Sequence, residues 1–158
     1  METVSDVDLA YLAGAIDSDG SIQVMRNRGD VRKTDGVRPN YYAVRVTVVQ
    51  VDRRLPDYFM ARFGGTVYHY ESSTGHRSWY VWTVAGQHAA NVLRQVRRFL
   101  VLKNKQADSA ITLADLITSQ RKMRRGGELL GREEEAVRER LLQEVRRHNA
   151  RRGREMPN

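Results

Sequence analysis

The chain contains no cysteine, which removes disulfides, thiolate nucleophiles and cysteine-based zinc centres together and fits an intracellular protein. It also lacks any apolar run near the roughly 20 residues that a membrane span requires. Its opening, METVSDVDLAYL, is acidic and has no basic stretch leading into a long apolar one, which argues against a secretory signal. These absences together imply a soluble protein of the cytoplasm, nucleoid or an organelle matrix, with no membrane partner. The four histidines, His69, His76, His88 and His148, fall in no metal-ligand or acid–base spacing. No segment is of low complexity.

Against those absences stands an excess of positive charge. Lys and Arg number 27 against 19 acids, giving a net charge of +8 and a pI near 10.2. Such a balance points to a polyanionic partner, nucleic acid above all, although ribosomal and membrane-surface proteins share it. The excess is local: residues 20–54 carry eight Lys/Arg against three acids, and residues 120–158 carry twelve against seven. At 158 residues, 41% hydrophobic and 29% charged, the chain suffices for one domain with its own core.

The pattern alternates helix and paired strands. Ser5 with Asp8 reads as an N-terminal capping box, and Leu9, Leu12, Ala13 and Ile16 follow at helical spacing until Gly20. Residues 21–28 and 41–51 alternate as strands around a long polar loop. Residues 54–63 predict a short helix, with Pro56 tolerable only in its first turn. Residues 66–71 and 77–85 predict a second strand pair. Helices are expected at 87–100, 103–120 and 131–149, with Gly126 and Gly127 separating the last two. Two hairpins of this kind can form one antiparallel sheet with helices over one face, an α+β arrangement.

The segment most suited to chemistry is Leu12-Ala13-Gly14-Ala15-Ile16-Asp17-Ser18-Asp19-Gly20. Ala10, Ala13 and Gly14 carry little side chain, so a second helix can approach closely along that edge. Asp19 stands where the helix ends and its carboxylate can project past the terminus. Gly20 lets the backbone turn into a strand. Two such helices side by side bring two carboxylates together. A plain acidic helix end is the competing reading, although the helix dipole disfavours anions there. A calcium loop is excluded, because Arg28 stands where the twelfth-position Glu belongs and Gly20 comes two places early.

LAGAIDSDG resembles the LAGLIDADG signature of homing endonucleases in seven of nine positions, with Ala15 and Ser18 as the departures. The αββαββα order agrees, over about residues 7–120. The resemblance implies the LAGLIDADG fold: an antiparallel, saddle-shaped sheet with helices on one face, a core at 1–120, and a basic helical extension of the same domain at 121–158. It implies that Asp19 ligates a divalent cation, magnesium or another such as manganese, with help from the Ser18 carbonyl. Asp17 then supports the helix end or a partner subunit. Gln50 corresponds to a position that orients water or metal, and Lys103 to a lysine lining the catalytic pocket, with Lys105 competing for that role. Arg54 or Arg53 adds a second cation. Phosphodiester hydrolysis would then use a water network held by Gln50 and Lys103.

By the same resemblance one polar sheet face reads double-stranded DNA in the major groove. Gln23, Met25 and Asn27 share a face of the first strand, and Tyr41, Ala43, Arg45 and Thr47 one of the second. Gln, Asn and Arg pair with purine edges, while Met and Tyr suit thymine methyls. His69 and Glu71 are candidates on the third strand, unless Tyr68 and Tyr70 take that face. Arg26, Arg28, Arg32, Lys33 and Arg38 suit phosphates. Trp79 and Trp82 read as core, as does Leu113-Ala114-Asp115-Leu116-Ile117, which echoes the motif without a following Asp-Gly.

One motif supplies one aspartate, so the resemblance implies a homodimer joined at the first helix and a near-palindromic target. The tail places Val137, Leu141 and Val145 at helical spacing, either to pack on the domain or to lie on flanking DNA through Arg146, Arg147, Arg151 and Arg152. Two rivals stand beside the cutting enzyme. One is a non-cutting binder on the same scaffold, an intron RNA maturase or a transcriptional regulator. The other is a basic structural protein of a ribonucleoprotein, which explains the charge but not the motif.

Overall fold

A computed structural model describes residues 4–151, apart from residues 34, 37, 76 and 124–128 and the side chain of Arg151. His76, Gly126, Gly127 and Arg152, singled out in the sequence, lie outside the described residues. Four strands form one antiparallel sheet in the order β1-β2-β4-β3: β1 Gly20–Arg28, β2 Asn40–Gln50, β3 Thr66–Glu71 and β4 Ser78–Ala85. Helix α1, Asp6–Asp19, leads directly into β1, and α2, Arg54–Phe63, joins the two hairpins. After β4 come α3, Gly86–Val96, a single 3₁₀ turn at Arg97–Phe99, then α4, Asn104–Met123, and α5, Arg132–Arg151. The αββαββα order and the four-stranded antiparallel sheet match the expected α+β fold.

Strand periodicity sets the sidedness. Ile22 and Val24 of β1, Tyr42, Val44, Val46 and Val48 of β2, and Trp82 and Val84 of β4 all point to one face and are buried. There they meet Leu12 and Ile16 of α1, Phe59 of α2, Leu93 of α3 and Leu113 of α4 in one core. Phe59 packs on Trp82 with ring centroids 4.6 Å apart, and the Trp82 indole donates to the Gly64 carbonyl at 2.8 Å. That carbonyl is presented by a two-glycine turn, where Gly64 and Gly65 both adopt positive φ. Leu113 and Ala114 are buried as expected for core. Trp79 is not: it lies half-buried on the opposite face, because β4 places 79 and 82 on different sides.

Helix α5 belongs to the same core. Leu141, Leu142 and Val145 are buried and Val137 is half-buried against α4 and β1. Polar bonds fix it further: Arg138 donates to Gln120 at 2.6 Å, Ser109 to Glu144 at 3.1 Å, and Asn149 to the Ile22 carbonyl of the β1 edge at 3.0 Å. Helix α5, within the tail, therefore packs on the domain.

At the other end of α1, Ser5 caps the helix, accepting from the Asp8 amide at 3.2 Å while its hydroxyl donates to the Asp8 carboxylate at 2.8 Å. Asp8 also takes a hydrogen bond from Tyr58 of α2, which, with Ser5, holds its carboxyl below the usual range.

Candidate active site and nucleic-acid face

Asp17 and Asp19 lie one turn-half apart at the end of α1 and face opposite ways. Asp17 is buried, and its carboxylate accepts from three successive backbone amides, Val101 at 2.7 Å, Leu102 at 3.1 Å and Lys103 at 2.9 Å. It ties the helix end to the segment preceding α4, the supporting role expected of it. Lys103 is also buried, with its ammonium on the carbonyls of Ile16, Asp17 and Gly20. The first two of these carbonyls belong to the last turn of α1 and carry the negative end of the helix dipole, so a cation there is favourably placed. The lysine thus backs the motif from inside the core, where the sequence suggested either a pocket wall or a surface position.

Gly20 is extended, at φ −90°, so it is not needed for an unusual backbone angle. A Cβ at this position would stand 2.7 Å from both Cα and O of Ile16. Close approach of the turning chain to its own helix is what demands glycine, a different reason from the sharp turn expected.

Asp19 is exposed, and Gln50 at the end of β2 donates its side-chain amide to the Asp19 carboxylate at 2.6 Å. Antiparallel pairing of Gly20 with Val48 is what brings the two residues together. Ser18 donates to Asp19 at 3.4 Å and to the Ala15 carbonyl at 3.3 Å. Asp19, Ser18 and Gln50 therefore form one cluster, with Lys103 and Asp17 behind it. The arginines do not join it. Arg54 turns its guanidinium onto Asp52, and Arg53 pairs with Asp57 at 3.1 Å while lying over the Tyr80 ring. The Arg54 guanidinium draws the Asp52 carboxyl down to about 2.

No group of three His, Asp or Glu side chains able to hold a metal occurs among the described residues. One exposed carboxylate with a neighbouring carbonyl suits a hard, oxygen-seeking cation that keeps several waters and takes further ligands from phosphate. That donor set fits magnesium better than a soft or nitrogen-seeking metal.

On the sheet face opposite the helices lie Gln23, Met25 and Asn27 of β1 with Tyr41, Ala43, Arg45 and Thr47 of β2, as the alternation predicts. They pair across the strands as Gln23 with Arg45, Met25 with Ala43 and Asn27 with Tyr41. The register of β3 settles the choice left open there. His69 and Glu71 share the parity of Val67, opposite Trp82, and so lie on the helix side, where His69 stacks on Tyr80 at 4.8 Å. Tyr68 and Tyr70 occupy the open face instead, so the candidacy of His69 and Glu71 for that face is corrected.

A second correction concerns Arg26. Its parity is that of Ile22 and Val24, and it pairs with Glu139 of α5 at 3.1 Å. No sequence spacing announces that α5 returns to this strand. Arg28 shares that parity but is exposed, as are Lys33, Arg38 and Lys105, while Arg32 pairs with Asp35 within its loop at 3.5 Å.

Helix α1 is apolar on two sides. Its inner side is the core; its outer side carries Val7, Ala10, Tyr11 and Gly14, with Val7 80% and Tyr11 60% exposed. Ala10 and Gly14 lie on that outer edge as expected, but Ala13 is fully buried within the chain. A Cβ on Gly14 would meet nothing within 4 Å, so no contact among the described residues requires glycine there.

No protein-family model matches the chain, and neither does any curated protein. Solved structures do. The homing endonuclease I-CvuI, in complex with its target in the presence of calcium, superposes with a TM-score of 0.59 at 20% identity, covering 88% of this chain and 94% of that one. The archaeal intron-encoded homing endonuclease I-Vdi141I, complexed with DNA, gives 0.54 at 14%, covering 92% and 98%. The meganuclease I-SmaMI, bound to uncleaveable DNA, gives 0.63 at 15% and covers 90% of this chain but 45% of its own. The fold of this chain is accordingly that of the LAGLIDADG homing endonucleases.

Proposed function

We propose that the protein is a site-specific endonuclease that makes a metal-dependent double-strand break in a long, near-palindromic DNA target, acting as a homodimer. One observation carries the proposal: Asp19 stands exposed at the end of α1, held by Gln50 and backed by the buried Asp17–Lys103 assembly. An exposed carboxylate held in one orientation is what a metal ligand requires. DNA-bound homing endonucleases with this fold support the nuclease class.

The chain's own groups have distinct tasks in this reading. Asp19, with the Ser18 carbonyl, holds a divalent cation, magnesium or manganese, which when bound polarises the scissile phosphate and acidifies a water. Gln50 keeps the Asp19 carboxylate in one orientation and orders water beside it. Lys103 and Asp17 hold the helix end so that the carboxylate does not wander. The open sheet face, with Gln23, Asn27 and Arg45, hydrogen-bonds base edges in the major groove. Arg28, Lys33, Arg38 and Lys105 meet phosphates, giving affinity without sequence preference.

The dimer follows from the outer stripe of α1. A helix apolar on both sides is incomplete alone, and the small Ala10 and Gly14 permit a second copy to approach closely. One Asp19 per subunit then gives two carboxylates for two strands. The twofold axis makes the target near-palindromic.

The experiment is cleavage of a randomised near-palindromic duplex library with magnesium, beside Asp19→Asn, with sequencing of new ends. Defined cuts by the wild type alone support the proposal. Retention of a DNA or RNA sequence without cuts replaces it with the non-cutting binder, a maturase or regulator.

A further inference from the structure

The half of the open face formed by β3, β4 and the end of β2 differs in chemistry from the half formed by β1. Val49, Val81 and Tyr68 stand in one cross-strand row, and Trp79 and Tyr70 in the next row of that face. Tyr70 and Trp79 are nearly parallel at 6.0 Å, and Tyr68 lies 6.4 Å from Tyr70. Val49, Tyr68 and Tyr70 are 45%, 48% and 46% exposed. An exposed apolar cluster on a basic protein marks a contact surface.

We infer that this cluster receives thymine methyl groups, and that each half-site of the target is thymine-rich where it meets this part of the sheet. The inference rests on the proposed reading of duplex DNA and adds a base preference to it.

Three observations select this occupant. The cluster is continuous with the Gln23–Arg45 half of one face, and none of that face's strand positions holds an acid that would repel DNA. The β3 and β4 positions on the face, Thr66, Tyr68, Tyr70, Trp79, Val81, Thr83 and Ala85, carry no cation and no carboxamide, so apart from hydroxyls and one indole N–H they present apolar surface. The C5 methyl of thymine is the one apolar group that the major groove displays. Stacking of unpaired bases, as in single-stranded RNA, calls for outward-facing rings beside backbone-tracking cations. Here the Tyr70 and Trp79 rings lie nearly parallel, 6.0 Å apart, and these positions carry no cation. The placement is also specific: Val49 adjoins Gln50, so the methyls lie toward the Asp19 end of the sheet.

The test begins with selection of a random duplex library by the wild-type protein in calcium, beside a single-stranded RNA library. The enriched duplex is then remade with deoxyuridine replacing each thymine in turn, which removes one methyl and leaves every hydrogen bond and the protein unchanged. We expect a contiguous group of positions in each half-site where the replacement weakens binding about threefold to fivefold, the worth of burying one carbon. Tyr70→Ser and Trp79→Ser lose that sensitivity at the same positions and keep it elsewhere. An enriched duplex indifferent to deoxyuridine overturns the inference and leaves the DNA reading standing. Failure to enrich any duplex, or preference for the RNA library, removes both.

Discussion

Asp17 and Asp19 differ by two positions in sequence and by everything that decides what a carboxylate does. Asp17 is buried and spends its oxygens on three backbone amides of its own chain. Asp19 is exposed and is met by side-chain donors that can let go, Gln50 and Ser18. The difference follows from helical geometry, since a step of two residues turns the side chain by about 200°. One carboxylate therefore faces the core side of α1 and the other leaves it. The motif pairs a buried acid that holds the helix end with an exposed one, to which the proposed function gives the metal.

The widest separation between them should appear in cleavage. Asp19→Asn is expected to lower the cutting rate by more than the roughly hundredfold to thousandfold that loss of one transition-state contact costs. Its stability should stay within about 0.5 kcal/mol of wild type, as for exposed positions generally. Asp17→Ala should do the reverse in kind, costing about 3–5 kcal/mol by leaving three backbone amides without their acceptor. Urea unfolding read beside strand cleavage checks both. An Asp17→Ala protein of wild-type stability would erase the distinction.

Lys103→Met sharpens the same comparison from the cation's side. It keeps the apolar stem and withdraws the donor from the carbonyls of Ile16, Asp17 and Gly20. A loss of about 1–3 kcal/mol is expected, seen as a lower urea midpoint. An unchanged midpoint would mean that the ammonium serves substrate rather than the helix end. Gln50→Ala should leave the midpoint in place and slow cleavage roughly tenfold, the scale of one hydrogen bond to a charged group. Wild-type rates would remove Gln50 from the site.

These residues also show what can be read from a sequence. The strands, the helix end and the parity of Gln23 or Arg45 were legible because they depend on local period alone. The family signature marked Asp19, and the short α1–β1 connection with a β1–β2 hairpin made its meeting with Gln50 foreseeable. Arg26 was not legible, since its partner Glu139 lies 113 residues away on a helix whose return to β1 no period encodes. His69 and Tyr70 were ambiguous because β3 is exposed on both sides and so lacks the apolar alternation that fixes a register. Ala13 fell both in the apolar stripe of Leu9, Leu12 and Ile16 and on the small-residue edge, and burial assigns it to the first.

A third carboxylate near the site offers the mildest contrast. Asp52 lies two residues past Gln50 and is bound by Arg54 through side chain and backbone, which draws its carboxyl from 3.8 to about 2. A folded-state value below the unfolded one means that the pair favours folding above about pH 4. That contribution is lost as pH falls through about 2, where the carboxyl takes a proton in the folded state too. Both side chains are well exposed, so water and salt screen the interaction and the effect should be small. The urea midpoints of wild type and Asp52→Asn should therefore differ slightly at pH 5 and converge near pH 2, and the pH 5 difference should shrink in 1 M salt. A large difference that ignores salt would mean that Asp52 is held as Asp17 is, by more than an exposed ion pair.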